Sequence, residues 1–197
     1  AVFDVDDSLV DGNVGTLFTA YLYQHRKLSA DVRRRLPGLL VDYARGRVSE
    51  SDMVKFAAGS HSGIRIDELR DMARRCFVRH VRHRITADGL KSIRRHLLDG
   101  HFVLLASGSP QVIVDELARF LRVHAAIGSR AKLSAGLMTD DVVPPINFRD
   151  GKRDRVLREF EAHGIDPSRS WLYSDSQADT PLFERVGHPV VVSPNPA

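Results

Sequence analysis

Residues 1–8, Ala1-Val2-Phe3-Asp4-Val5-Asp6-Asp7-Ser8, open the chain with an apolar run that breaks abruptly into carboxylates and a hydroxyl. A buried β-strand that ends in a loop has this form, because the run is too short for a helix and the acids after it have no place inside a sheet. The pattern then changes. From residue 14 to about residue 85 the apolar residues recur at helical spacing: Leu17, Tyr21 and Leu22, then Leu36, Leu39, Leu40 and Tyr43, then Met53, Phe56 and Ala57. A last helix is expected over residues 67–84, with Leu69, Ala73, Cys76, Phe77 and His80 as its apolar stripe and Arg70, Arg74, Arg75, Arg79 and Arg82 around it. No strand pattern interrupts these four helices.

After Thr86 helices alternate with short β-rich runs. The spacing predicts helices over 88–99, 110–121, 152–163 and 180–186, and strands over 102–106, 125–128, 171–174 and 190–192. Residues 131–148, with Gly136 and Pro144-Pro145, read as an irregular hairpin. Pro110 suits the first turn of its helix, with Ser109 as the expected cap. This alternation predicts an α/β fold, a doubly wound parallel sheet with residues 1–11 and 86–197 as its core. Residues 12–85 form an all-helical insertion after the first strand. The chain has no initiating Met, and both of its ends read as trimmed.

Composition narrows the possibilities. Of 197 residues, 43% are hydrophobic and 27% charged, which supports a packed core and excludes disorder. No apolar run approaches the ~20 residues of a membrane span, so no membrane partner is expected. The single cysteine, Cys76, allows neither an internal disulfide nor a cysteine-type zinc site, and a reducing cytoplasm is the expected compartment. Residues 12–85 carry 15 Lys and Arg against 7 Asp and Glu, while residues 1–11 carry four Asp and no base. The arginine stripe reads first as a solvated face, with attraction of an anionic substrate as the next reading. It lacks the interleaved aromatics of single-strand binding, so no nucleic acid is expected. No phosphate-loop or dinucleotide glycine motif occurs.

In an open α/β sheet, ligands bind beyond the carboxyl ends of the strands. Here those ends release Asp4-Val5-Asp6-Asp7-Ser8, then Ser107-Gly108-Ser109, then Asp175-Ser176-Gln177-Ala178-Asp179. Each alone is an ordinary loop, and the first could be a turn. A calcium hand is excluded, because Leu9 and Gly15 stand where that loop needs its glycine and glutamate. Lys152 alone is a common solvated helix start. The coincidence at one sheet edge is what carries information.

Taken together, these motifs resemble those of phosphatases of the haloacid dehalogenase superfamily, in particular the phosphoserine-phosphatase-like branch with a helical cap after the first motif. Phe3-Asp4-Val5-Asp6-Asp7-Ser8-Leu9-Val10 resembles the first motif and Leu104-Leu105-Ala106-Ser107-Gly108-Ser109 the second. Gly151-Lys152 supplies the lysine of the third, and Tyr173-Ser174-Asp175-Ser176-Gln177-Ala178-Asp179 the aspartates of the fourth. The resemblance implies a Rossmann-like core with a cap over residues 12–85, and a Mg²⁺-dependent phosphomonoesterase acting on a small phosphorylated metabolite. Asp4 would be the nucleophile that forms an aspartyl-phosphate, and Asp6 the general acid and base. Dehalogenase and phosphonate-cleaving relatives lack an acid at the Asp6 position. Ser107, the Gly108 amide and Lys152 would hold the phosphoryl oxygens. Converging carboxylates repel unless a hard cation sits among them, which points to Mg²⁺ on Asp4, Asp175 and the Asp6 backbone carbonyl. Asp179 would orient Lys152 or a water on the cation. Asn13 stands where phosphoserine phosphatases carry a glutamate for the substrate ammonium, and Ala178 where they usually carry Asn. Phosphoserine is therefore not the expected substrate. Arg45 and Arg47 are candidates for gripping a carboxylate or a second phosphate. A phosphomutase using the same intermediate, or a non-catalytic phosphate-binding domain of a longer chain, are the alternatives.

Overall fold

The computed structural model describes residues 1–192; the last residues of the expected core segment, 193–197, lie outside the described residues. Its central strand is very short. β1 (Val2–Phe3) is flanked on one side by β2 (Leu104–Pro110) and β3 (Ala125–Ser129), and on the other by β6 (Trp171–Ser174) and β7 (His188–Val191). The order is β3-β2-β1-β6-β7 and every pairing is parallel. Phe3 is in register with both Leu105 and Tyr173, so the residue after it leaves the sheet at its carboxyl edge beside the ends of β2 and β6. A separate antiparallel hairpin, β4 (Ala131–Ser134) with β5 (Leu137–Val142), lies where an irregular hairpin is predicted.

Side chains alternate across a strand, and here both faces are covered. Val2, Leu104, Ala106, Ile127 and Leu172 point to one face, where they pack with Val156 and Phe160 of α7 (Asp150–Ala162) and Leu182 of α8 (Thr180–Phe183). Phe3, Val5 and Leu105 belong to the opposite face. That core continues through Ile113 and Leu117 of α6 (Gln111–Leu121) and Ile93 of α5 (Ala87–Leu98). It then runs into the helical region: Phe18 and Leu22 of α1 (Val14–Gln24), Leu36 of α2 (Ala30–Ala44), and Leu69, Ala73 and Cys76 of α4 (Ile66–Cys76). Between β1 and β2 the described residues form helices and isolated β-bridges but no further strand, with α3 (Glu50–Gly59) the remaining α-helix.

Two expected helices end early. The one predicted over 67–84 stops as α4 at Cys76 and continues as a wide turn over Phe77–Val81 and a tight one over Arg82–Arg84. The altered pitch buries both Phe77 and Val81 while the arginines stay outside, and His80 rests half-buried on the Tyr21 ring. The helix predicted over 180–186 stops at Phe183, because the chain must turn to bring Gly187 against residue 168. A Cβ at Gly187 would overlap the Ser168 carbonyl oxygen, so backbone approaches backbone where only glycine fits.

These contacts give a paired expectation. Gly187→Ala should destabilise the protein by about 2 kcal/mol or more through this overlap. In α2 an added methyl at Gly38 meets nothing within 4 Å. Gly38→Ala should therefore stabilise it by roughly 0.5–1 kcal/mol through helix propensity. Urea unfolding of the three proteins checks both signs.

Candidate active site

Asp4 follows β1 directly. Its amide still donates to the Tyr173 carbonyl at 2.8 Å, which fixes its Cα against the end of β6. The residue is 6% exposed and its side chain meets Lys152, whose ammonium donates to Asp4 Oδ1 at 2.7 Å and to Asp179 Oδ2 at 2.6 Å. Lys152 comes from the first turn of α7 and is 4% exposed; Asp179, from the turn after β6, is 2% exposed. The Ser174 hydroxyl donates to the same Asp179 oxygen at 2.6 Å. One cation thus lies between two buried carboxylates from different strands.

Burial pushes the Asp4 carboxyl up to about 7, against the opposing pull of Lys152 and with the help of the Asp179 and Asp6 charges. Lys152 is raised as well, but by its partners rather than by burial. Burial alone would lower it, but Asp179 and Asp4 outweigh burial and hold it above the ordinary lysine range. The ammonium is therefore a fixed positive charge in the neutral range.

On the other side of Asp4 stands Ser8. Its hydroxyl lies 2.6 Å from Asp175 Oδ1 and 3.2 Å from Asp4 Oδ2, and it accepts the Asp175 amide at 2.9 Å. A hydroxyl has one hydrogen. The shorter distance gives it to Asp175, so Asp4 Oδ2 is left short of a donor. This donor set of hard oxygens fits a hard cation. Among the described residues no three His, Cys, Asp or Glu side chains form a cage, so the set would be completed by backbone oxygen. Asp7, exposed in the loop at φ +57°, stays outside it.

Asp6 turns away from Asp4 towards the end of β2. Its Oδ1 accepts the Val14 amide at 2.7 Å, its Oδ2 accepts the Ser107 hydroxyl at 2.6 Å, and the Ser109 hydroxyl reaches both oxygens at 3.0 and 2.9 Å. Burial raises its pKa, while Ser107, Val14 and Ser109 oppose the rise by solvating the anion. Ser109 was expected as a helix cap, and the structure corrects this. Pro110 itself occupies the cap position of α6, with no side-chain cap, and Ser109 remains on β2 with its hydroxyl on Asp6. Beside Ser107, Gly108 takes the van der Waals contact of α3: an added Cβ would lie 3.2 Å from Val54.

Over residues 1–184 the chain matches the family model described as haloacid dehalogenase-like hydrolase. The chain belongs to that hydrolase family. Phosphoserine phosphatase SerB1 of Mycobacterium tuberculosis is 28% identical over 205 residues, which cover 99% of this chain and 65% of the relative. The hydrolase thus spans less than two thirds of that curated relative. A histidinol-phosphatase of Neisseria meningitidis is 22% identical over 99% of this chain and 90% of its own length. Among solved structures, a protein of unknown function from Bordetella pertussis Tohama I superposes with a TM-score of 0.89 at 25% identity, over 99% of this chain and 90% of that one. A phosphoserine phosphatase determined as a phospho-aspartyl intermediate analogue shares the fold at TM-score 0.66 and 16% identity, covering 96% of this chain and 84% of that one. No helix among the described residues is long and apolar enough to cross a membrane.

The expected site residues of this hydrolase divide into two groups. Asp4, Lys152 and Asp179 meet directly, Asp175 joins them through Ser8, and Asp6 meets Ser107. Of the residues from the helical region, Asn13 lies next to Val14, whose amide meets Asp6, and the two arginines stand apart. Asn13 caps α1 by accepting the Thr16 amide at 2.8 Å. Arg45 and Arg47 are exposed in the loop between α2 and α3, where Arg47 pairs with Asp42 at 2.6 Å. Sequence reading missed Ser8, Ser174 and Asn147. Asn147 is fully buried and donates to the Ser107 and Ile127 carbonyls at 2.6 and 3.1 Å, tying the β2 and β3 ends together. Its signal was weak, a lone Asn in a proline-rich turn.

The raised Asp4 pKa has a sign for stability. Its folded value, about 7, lies above the ordinary carboxyl value of 3.8, so the fold favours the protonated form, and this contribution is lost as pH rises from about 4 through about 7. Metal-free wild type should therefore melt at lower temperature at pH 8 than at pH 5. Asp4→Asn should flatten that slope and melt above wild type at pH 8, as scanning calorimetry across pH would record.

Proposed function

We propose that this hydrolase is a phosphomonoesterase for a small phosphorylated metabolite, acting through a phosphorylated Asp4. The observation that carries the reading is Asp4 itself: a buried carboxylate at the open edge of the sheet with a fixed ammonium on one oxygen and an under-donated second oxygen. Phosphoryl transfer asks the protein mainly for an in-line nucleophile and preorganised positive charge around the equatorial oxygens. Lys152, the Ser107 hydroxyl and the Gly108 amide supply that charge, and Asp179 with Ser174 keeps Lys152 aimed. The phosphatase names of two relatives add support.

In this reading an Asp4 oxygen bonds to phosphorus as the bond to the ester oxygen breaks, and Asp6 gives its proton to the departing oxygen. Asp6 then takes a proton from water, whose oxygen bonds to phosphorus while the bond to Asp4 breaks. The products are the alcohol and inorganic phosphate. Asp4, Asp175 and the Asp6 carbonyl would hold Mg²⁺, which supplies charge neutralisation and a template for the phosphoryl oxygens. Residues 12–85 would serve as a cap that excludes water from the site. Asn13 offers an amide rather than a carboxylate to the substrate, which disfavours phosphoserine and its ammonium. Arg45 and Arg47 would meet a second anionic group only after Arg47 leaves Asp42.

The test is phosphate release from a broad panel of phosphomonoesters, phosphoserine and histidinol phosphate included, with Mg²⁺ or EDTA. We expect metal-dependent release that Asp4→Asn lowers by at least ~10³-fold while leaving the circular dichroism spectrum unchanged. Retained turnover in Asp4→Asn would sink the mechanism, and transfer of the phosphoryl group without free phosphate would favour a mutase.

A further inference from the structure

Ser109 holds a position that the chemistry above does not use. Its side chain is buried, at 5% exposure, and its hydroxyl lies almost equally far from the two Asp6 oxygens, 3.0 and 2.9 Å. It accepts the Gly15 amide at 2.9 Å on one of its lone pairs. With that acceptor site filled from α1, the one hydroxyl hydrogen is directed at Asp6. Gly15 is matched to this contact, since a Cβ there would stand 2.8 Å from Ser109 Oγ.

Ser107 makes the second hydroxyl contact to Asp6, at 2.6 Å. Its single hydrogen cannot serve Asp6 and a phosphoryl oxygen together, so when the phosphoryl group takes it, Asp6 loses that donor. Ser109 has no such conflict. With the Val14 amide it can donate to Asp6 Oδ1, so that Oδ2, the oxygen Ser107 releases, carries the proton and faces the leaving group.

We propose that Ser109, with its hydroxyl fixed by the Gly15 amide, is a positioning residue that holds the Asp6 carboxyl in place for proton delivery once Ser107 has turned to the phosphoryl group. The inference rests on the reading of Asp6 as the acid. Its consequence depends on the ester. When the bond between phosphorus and an alkyl ester oxygen breaks, the electron pair goes to an oxygen too basic to leave without the Asp6 proton. A nitrophenolate leaves without that help.

The experiment measures kcat/KM for Ser109→Ala and Gly15→Ala on p-nitrophenyl phosphate and on the alkyl phosphomonoester that the wild type hydrolyses fastest. This parameter ends at the first irreversible step, phosphoryl transfer to Asp4. We expect the alkyl-to-aryl ratio to fall ~10-fold or more in both variants, a part of what general acid catalysis supplies. The aryl ester, measured on the same protein, controls for folding and phosphate binding. An equal loss on both esters, or none on either, overturns the role of Ser109 while leaving the phosphatase reading intact. A wild type inactive on every alkyl ester overturns the acid assignment and this inference together.

Discussion

The Lys152 ammonium, held between Asp4 and Asp179, is the interaction around which the site is arranged. Three buried charges from three parts of the chain meet there: the end of β1, the first turn of α7 and the turn after β6. Removing the cation would leave two carboxylates facing a dry pocket without a counter-charge, with a typical penalty of about 3–5 kcal/mol. The sheet order is what allows the meeting, because β1 lies between β2 and β6 and the ends of all three strands open on the same edge.

A second constraint ties the helical region to this edge. The first N–H groups of any helix need outside partners. For α1 those partners are Asp6 for Val14, Ser109 for Gly15, the Asn13 side chain for Thr16 and the Asn13 carbonyl for Leu17. The start of α1 is thus satisfied partly by residues of the sheet edge itself. Further along, the approach of Val54 to Gly108 and of Gly59 to the Asp140 carbonyl keeps α3 against both the β2 end and the β4–β5 hairpin. The helical region and the sheet therefore share polar contacts and a continuous core.

How much of this was legible in the chain differs from residue to residue. The parallel sheet was readable because buried strands are short apolar runs, and their ends are marked by the switch to Asp, Ser and Gly. Asp4 and Asp175 stood out for the same reason, as charges placed directly after apolar runs, whereas Lys152 and Asp179 were legible only from the order of the motifs. The hydroxyls did not stand out. Ser8 and Ser174 look like any loop serine, and their role appears only when β1 and β6 lie side by side. Ser109 before Pro110 carries the local signature of a helix cap, but the Pro110 backbone, at φ −56° and ψ 135°, takes the cap position and leaves the serine on the strand. The early end of α4 was hidden because Phe77 and Val81 keep helical spacing through a turn that is no longer α-helical. Arg45 and Arg47 illustrate the limit from the other side: charge count nominates a residue, and only geometry says that Asp42 already holds one of them.

Cys76 sits fully buried on the face of α4 that packs against α1, with its thiol against the Leu17 carbonyl and burial pushing its pKa up to about 12. A thiol in that state is inert, since reaction needs both access and the thiolate. As the sole cysteine of the chain, it is a built-in counter of molecules in which α4 has lifted from α1. The rate at which a thiol reagent labels the native protein therefore measures the opening equilibrium of the helical region, with no label or mutation introduced beforehand.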